Sequence, residues 1–281
     1  MSIQNTGTGA HQLPVGTESQ RPTTNLSSGL TRFNDSKKIL EYHNGSTWVG
    51  IGLRDGSNAA AAADSAAAIK ALTGTTTNGF YWILIGSTPT QIWCDMTNDG
   101  GGWMLAAKSS GNDDAHWYYS DAAWTDTTTF SADQDAIAYN GHIKTTVFTN
   151  RAFTQVRLPM QTLSNAIIEN WSGSTFASFM NGSASSGNAR SVWVNWLNAA
   201  WGASGDTWLA NCNQFGINKA YNYQNVRLGG TINGEGDCNT NDESFGWGLR
   251  GISPYSNNTS SGSYSPYGRP SGRRVAWIFL K

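Results

Sequence analysis

The densest group of polar side chains lies between positions 234 and 243, in a chain that is otherwise poor in charge. Four carboxylates within nine residues repel one another there, and a hard cation with about six to eight oxygen ligands removes the repulsion. Calcium is therefore the natural candidate. The predicted ligands are Asp237, Asn239, Asn241, Asp242 and Glu243. A solvated acidic turn without a metal is the alternative.

This segment does not follow the EF-hand pattern. Asp237, Asn239 and Asn241 match the first three ligand positions of that loop. However, Asp242 stands where the loop needs Gly, and Gly248 stands where it needs a bidentate Glu. The sequence therefore predicts a calcium site of another kind.

Aromatic residues set among Gly, Ser, Asn and Pro follow the acidic segment, and we single out Trp247, Tyr255, Tyr264 and Tyr267. Aromatic rings beside amide and carboxylate side chains bind sugars, because the rings stack on C–H faces while polar groups take the hydroxyls. The pattern predicts a glycan-binding surface, with burial of these rings in the core as the alternative. Three arginines would suit an acidic polysaccharide, although scattered arginines are usually only solvated: Arg250, Arg269 and Arg273.

The sequence gives little support for a catalytic function. The histidines at positions 11, 43, 116 and 142 belong to no Gly-x-Ser-x-Gly elbow, HExxH helix or Walker loop. Asp113, Asp114 and His116 would suit a metal or an acid–base pair, but a surface turn is the simpler interpretation. We therefore expect no enzyme. The alternative is a polysaccharide depolymerase, whose carboxylate pair would come from among Glu169, Glu235, Asp237 and Asp242.

Composition narrows the class of protein. The 281 residues carry a net charge of -1, which argues against non-specific binding to nucleic acid or anionic lipid. The 13 Trp, 10 Tyr and 10 Phe residues are too many for a disordered chain, and no apolar stretch is long enough to insert in a membrane. The chain begins without the pattern of a secretory signal, so we expect it to be made in the cytoplasm and not exported by that route.

The three cysteines are too few for a disulfide scaffold. A bridge between Cys212 and Cys238 is one interpretation, and three reduced thiols is the other.

Short β-rich runs and many turn residues predict an α+β fold that is mainly β and loop. The predicted organisation has four parts. These are an extended N-terminal arm over residues 1–28, a small β meander over 29–54, an Ala-rich helix or linker over 55–77, and a globular head over 78–281. A meander this small buries little surface, so pairing with copies of itself would stabilise it.

Several elements are predicted individually. We expect strands at Phe80 to Ile85, Thr90 to Cys94, Trp103 to Lys108 and Arg274 to Leu280. The Ala-rich run over 59–72 predicts a helix, either in an oligomer stem or packed on the head. Weaker helical patterns lie over 160–171 and 189–201.

Two segments form a long and specific motif: Asn78-Gly-Phe-Tyr-Trp-Ile and Gln91-Ile-Trp-Cys-Asp-Met-Thr-Asn-Asp-Gly-Gly-Gly-Trp103. The motif resembles the opening of the fibrinogen-like domain, especially the branch shared with the intelectins. That resemblance implies a fibrinogen-like head over most of residues 60–281. Cys238-Asn-Thr240 is similar to the calcium and sugar site of that branch, which nominates Asn239 and Asp242, although the His-His pair of the branch is absent. The usual partner of Cys94 is also absent, because alanines occupy its place.

The N-terminal sequence resembles another class of protein. Gly9-Ala-His-Gln-Leu-Pro-Val-Gly-Thr17, Gly29-Leu-Thr-Arg-Phe-Asn34 and Glu41-Tyr-His-Asn-Gly-Ser-Thr-Trp48 look like modules that precede the receptor-binding tips of bacteriophage fibre and spike proteins. The resemblance implies a homotrimer on the virion surface. Its N-terminal arm would contact other virion proteins, and its head would attach the particle to a host surface glycan with Ca²⁺ as a candidate cofactor. A structural decoration protein without adhesive function is a further alternative.

Overall fold

The computed structural model describes residues 13–36, 39–205, 208–220, 223–251, 258–265 and 271–281. The chain divides into two compact units, Met1–Arg54 and Asp55–Lys281. Both are built mainly from strands with a few short helices, which confirms the predicted fold class.

The first unit contains one four-stranded sheet and a 3-10 turn at Glu18–Gln20. Its strands are β1 (Val15–Gly16), β2 (Thr31–Asn34), β3 (Ile39–His43) and β4 (Trp48–Gly50). They lie in that order, and β1 runs parallel to β2 while the other pairs are antiparallel. The last three strands form the predicted meander. The short strand β1 lies within residues 1–28, for which the sequence predicted no strand.

Charged and polar side chains fill the buried face of this sheet. Arg32, Asn34, Glu41 and His43 are all nearly inaccessible to solvent. The carboxylate of Glu41 accepts hydrogen bonds from Arg21 at 2.7 Å and from Asn34 at 2.9 Å. The buried carboxylate is therefore compensated by charge and by hydrogen bonds.

The second unit contains four helices and thirteen strands within the described residues. The helices are α1 (Ala66–Thr73), α2 (Thr146–Asn150), α3 (Phe176–Phe179) and α4 (Arg190–Trp201). The strands are β5 (Gly79–Ile85), β6 (Thr88–Asp95), β7 (Trp103–Ser109), β8 (Ile143–Lys144), β9 (Val156–Met160), β10 (Thr162–Glu169), β11 (Ala184–Ser185), β12 (Asn211–Ala220), β13 (Gln224–Asn233), β14 (Glu243–Gly251), β15 (Asn258–Tyr264), β16 (Gly272–Arg273) and β17 (Ala276–Leu280).

These strands form two antiparallel sheets. A seven-stranded sheet has the order β10-β9-β17-β7-β6-β5, with β8 paired to β7. A six-stranded sheet runs in sequence order from β11 to β16. The main hydrophobic core contains residues from both sheets and from the helices, and its largest side chains are Trp117, Trp124, Trp193, Trp247, Phe148, Phe176 and Phe245.

The motif around Cys94 to Trp103 has a structural basis. Asp95 accepts hydrogen bonds from the backbone amides of Thr97 and Asn98, both at 3.0 Å, and pairs with the buried Arg157 at 3.0 Å. Gly101 has φ +64°, and a Cβ there would lie 2.1 Å from the carbonyl oxygen of Met96. The motif thus builds a tight turn between β6 and β7 that is fastened to β9.

Two of the helix predictions need correction. The Ala-rich run does not form one helix, because Asn58 caps a 3-10 turn over Ala59–Ala61 and Ala63 then pairs with Ile83. Helix α1 begins only after Ser65, whose hydroxyl accepts from the amide of Ala68 at 3.0 Å. It packs Ala66 and Ile69 into the core of the second unit.

The helix predicted over 160–171 is wrong, since this segment forms β10 after a turn at Gln161. The helix predicted over 189–201 is confirmed as α4.

Candidate functional site

The acidic segment forms a loop between β13 and β14, over residues 234–242, which we call the tethered loop. A disulfide between Cys212 and Cys238 joins it to the start of β12. The side-chain amide of Asn211 also donates to the carbonyl oxygen of Gly234 at 2.5 Å. The bridge that the sequence left open is therefore present, and it fixes the position of the loop.

The predicted calcium ligands divide between the surface and the interior. Asp237 and Asn239 are exposed at the tip of the loop, where Asp237 accepts a hydrogen bond from the amide of Asn239 at 3.0 Å. Asn241, Asp242 and Glu243 are buried where the chain enters β14. The five residues therefore do not lie together in one exposed turn.

Glu243 does not fit a calcium site, which corrects the prediction. Its carboxylate is fully buried and accepts hydrogen bonds from the amide of Leu209 at 3.0 Å and the hydroxyl of Ser265 at 2.6 Å. Both oxygens thus join neighbouring segments of the chain. Glu243 has a structural role.

The side-chain oxygen of Asn241 does fit a hard cation. The amide nitrogen of Asn241 donates to the hydroxyl of Thr231 at 2.6 Å, while its buried Oδ1 accepts no hydrogen bond from any described residue. A buried oxygen without a partner is costly, and a bound cation would satisfy it. Within the described ranges, no group of three or more His, Cys, Asp or Glu side chains is arranged to hold a metal.

The aromatic residues predicted to bind sugar have different locations. Trp247 is buried, with its ring centroid 5.8 Å from that of Trp117 and 6.2 Å from that of Trp124. Its face is covered by core residues, so its predicted stacking role is wrong. Tyr264 is half-buried on β15, opposite Ser244. Tyr255 and Tyr267 lie outside the described residues.

A shallow cleft of about 290 Å³ lies beside the tethered loop, and we call it the amide cleft. It is lined by Asn188, Arg190, Asn213, Gln214, Phe215 and two serines at positions 185 and 186. The Gln214 amide makes no hydrogen bond within the described part of the chain. Because Asn213 and Gln214 directly follow Cys212, the bridge brings the loop to this cleft.

The sequence reasoning missed the amide cleft. Its residues come from β11, the segment before α4 and β12, which are far apart in sequence. No local spacing signals it, because only the pairing of β11 with β12 brings them together.

Ser110, Asp113 and His142 form a cluster that resembles a catalytic triad in composition. His142 Nε2 lies 2.7 Å from Asp113 Oδ1 and 3.3 Å from the hydroxyl oxygen of Ser110. His142 Nδ1 accepts the backbone N–H of Ser110 at 3.3 Å, so the proton of a neutral ring is on Nε2 and is donated to Asp113. In this state Nδ1 is engaged by the backbone N–H and Nε2 carries the proton, so neither nitrogen can accept the proton of the Ser110 hydroxyl, and the cluster lacks the relay needed to activate a nucleophile.

Burial also keeps this imidazole neutral. Desolvation lowers the pKa of His142, and the hydrogen bond that the ring donates to Asp113 opposes that shift without cancelling it. The pKa of Asp113 is lowered, chiefly by the amide of Ala115 and then by His142. We infer that the cluster joins the end of β7 to the segment before β8.

The suggested Asp113, Asp114 and His116 cluster does not converge on one point. Asp114 pairs with Arg273 and accepts the amide of Ser260 at 2.8 Å. His116 stacks on Phe130, with ring centroids 4.2 Å apart. The three side chains therefore contact different partners, as expected of a structured turn.

No protein-family model matches this chain, and a search of curated proteins found no match. Among the described residues, no helix has the length and apolar character needed to cross a membrane. The resemblances stated above therefore stay predictions.

Proposed function

We propose that this protein is a virion fibre or spike subunit that attaches to a host cell surface by binding a glycan through its second unit. One observation carries the proposal: the disulfide fastens the tethered loop to Cys212 of β12, directly before Asn213 and Gln214, which line the amide cleft. Together they offer carboxylates, amides and hydroxyls on a rigid antiparallel sheet.

The chemistry of the amide cleft suits a sugar. Asn213 and Gln214 offer both donors and acceptors, which match the hydroxyl groups of a pyranose. Phe215 adds an apolar edge, held by stacking on Trp193 at a centroid distance of 5.6 Å. The cleft is shallow, so each head would bind weakly, and many copies on a particle would raise the avidity.

Calcium is proposed as a cofactor of the tethered loop. Asn241 and Asp242 would supply oxygen ligands, with Asp237 and Asn239 from the exposed tip. A bound ion would order the loop beside the amide cleft and complete the binding surface. Removal of calcium is therefore expected to weaken glycan binding.

The first unit supports the proposal of a homotrimer. Val15 and Leu40 are 55% and 42% exposed, and they lie on the face of the sheet opposite the polar network formed by Arg32, Asn34 and Glu41. Val15 and Leu40 both pair with Phe33, so the three share one face. An exposed apolar face on a module this small favours association with copies of itself. The arm over residues 1–28 is proposed to contact other virion proteins; its first twelve residues lie outside the described ranges.

Binding of the full-length protein to host cells tests the proposal. Wild-type protein is compared with Gln214→Ala and Asp242→Ala, and Gln134→Ala removes an amide elsewhere as a matched control. We expect about fivefold weaker binding for Gln214→Ala, the effect of one lost hydrogen bond, and unchanged binding for the control. Chelation should reduce wild-type binding, and added calcium should restore it. If Asp242→Ala binds as well as wild type, the calcium site is wrong.

Two alternative functions, a polysaccharide depolymerase and a structural decoration protein, would give different experimental results. A depolymerase would release reducing sugar from host polysaccharide. One of its candidate carboxylates, Glu169, is buried and bonded to Ser186, Gly187 and Asn188, which does not favour a catalytic role. A decoration protein would be folded and incorporated in particles without binding host cells.

A further inference from the structure

A second cleft in the second unit is lined by cationic side chains that have no role in the proposed function. It has a volume of about 390 Å³ and lies where β7 ends and β17 begins. Among the described residues, the charged side chains of its lining are Lys108, Arg273 and Arg274, and none of these residues contributes a carboxylate. We call it the cationic cleft.

Gly111 makes the floor of this cleft possible. It has φ +70°, and a Cβ there would lie 2.3 Å from the backbone nitrogen of Val275. The two backbone segments approach this closely only with glycine at this position. The floor of the cleft is therefore rigid backbone.

Two of the three cations lack a carboxylate partner. Lys108 is only 2% exposed, and its ammonium donates to the carbonyl oxygen of Tyr139. Arg274 donates to the carbonyl oxygen of Ala200 at 3.0 Å and lies 4.3 Å from the ring centroid of Trp201. Neither forms an ion pair within 4.0 Å with any described residue. Both charges are fixed in place, and the described residues supply no carboxylate at ion-pair distance.

The surrounding charges do not change this conclusion. Arg273 is paired with Asp114, which removes it as an unbalanced charge. Asp135 acts on Lys108 from beyond ion-pair distance, while its own oxygens accept from the amides of Ile137 and Ala138. A partly buried cation without a close counter-charge is costly, and an anionic ligand would compensate it.

The remaining lining has the chemistry of a sugar site. Amides come from Asn112, Asn140 and Gln161, and Ile137, which is 57% exposed, offers an apolar surface. Gln161 has φ +67° at the turn between β9 and β10, a conformation that costs energy in a residue other than Gly or Asn. Its side chain makes no hydrogen bond to the described part of the chain. A strained residue with an unused amide at the rim of a cleft indicates a binding role.

We propose that the cationic cleft binds a carboxylate-bearing sugar, with Lys108 and Arg274 facing the carboxylate and Gln161 contacting the ring hydroxyls. This inference rests on the proposed function, because it names the class of glycan that the head recognises. It adds a second binding site, separate from the amide cleft.

The experiment uses full-length protein on an array of uronate- and sialate-containing oligosaccharides. Each glycan is paired with a counterpart whose carboxyl groups have been reduced to alcohols. We expect binding to acidic glycans that falls at least tenfold after reduction, because charge-assisted hydrogen bonds are lost.

Two variants in the cleft and one control variant outside it locate the site. Arg274→Gln should weaken binding to acidic glycans about tenfold, while Arg151→Gln, whose guanidinium also donates to backbone carbonyls, should have no effect. Gln161→Gly removes the amide and relieves the backbone strain, so it should bind several-fold more weakly while its melting temperature stays equal or rises. This variant separates loss of binding from loss of folding.

The outcomes distinguish the inference from the proposed function. Equal affinity for acidic and reduced glycans overturns the inference, as does acid-specific binding that survives both cleft variants; in each case glycan binding itself stands. Folded protein that binds no glycan overturns both.

Discussion

Single residues explain how a polar sequence forms a stable interior. Arg157, Glu169 and Glu243 are buried, and each is bonded to several partners, so their charges are compensated within the fold. Residues of this kind are easily mistaken for ligands. Glu243 was predicted to bind calcium because its position in an acidic run is visible in the sequence, whereas its partners Leu209 and Ser265 are not.

His142 gives a prediction about pH at the residue scale. Burial lowers the pKa of His142 below the 6.5 of a free imidazole. As the pH falls below 6.5, the imidazole is therefore protonated in the unfolded chain while it is still neutral in the folded chain. This contribution to stability is complete above pH 6.5 and decreases as the pH falls below that value. The free energy of unfolding, measured by urea titration between about pH 7.5 and about pH 5.5, should fall by up to about 1.4 kcal/mol per pH unit from this group.

The His142→Gln variant is the control, since it removes the titrating ring. Its stability should depend less on pH than that of wild type over the same window. Asp113 does not interfere in this window. Because its pKa is lowered from the ordinary 3.8, its contribution to the free energy of unfolding changes only at more acidic pH. Equal pH dependence in the two proteins would contradict the account of His142.

At the scale of elements, the sequence predicts those whose pattern is local. The strands β5, β6, β7 and β17 and the helix α4 were found from apolar runs or helical spacing. The strand β10 was missed because Leu163, Ile167 and Trp171 have helical spacing. Its pairing with β9 is set by the turn at Gln161, and its buried Glu169 hides the alternation of a strand. The clefts were missed for the related reason that they form between distant segments.

The tethered loop gives a prediction at this scale. Replacing both Cys212 and Cys238 with Ser opens a bridge that spans 26 positions, and chain entropy predicts a loss of stability of about 3.5 kcal/mol. Glycan binding at the adjacent amide cleft should weaken as well, because the loop is no longer fixed. Thermal unfolding and binding of the variant measure both effects.

Cys94 serves as the control for the bridge. Burial raises the pKa of its thiol, so it stays protonated and unreactive in the folded protein. Denatured, unreduced wild-type protein should therefore titrate with one thiol, and Cys94→Ala with none. Three titratable thiols in the denatured wild type would contradict the bridge.

At the scale of the whole molecule, the two units differ in what they present to solvent. The first has a polar buried face and an apolar outer face, whereas the second presents polar clefts. We expect this division if the first unit is the proposed assembly module and the second the proposed recognition head. Composition and turn pattern predicted a small β module followed by a larger head, but the reversed polarity of the small sheet appears only with its strand register.

The outer face of the first unit gives a prediction about assembly. Leu40→Lys places a charge on that face and should convert a trimer to monomers, as measured by light scattering after size-exclusion chromatography. Leu26→Lys, an exposed leucine outside the strands, should leave the trimer intact. A monomeric wild-type protein would contradict the proposed homotrimer.

The central claim is that the second unit recognises a glycan, and the most direct test is a binding measurement with labelled full-length protein on an array of microbial surface polysaccharides. We predict binding to a restricted set of these polysaccharides, about fivefold weaker for Gln214→Ala than for Gln134→Ala. A folded protein that binds none of them, while still incorporated in particles, would contradict the claim and favour a structural subunit.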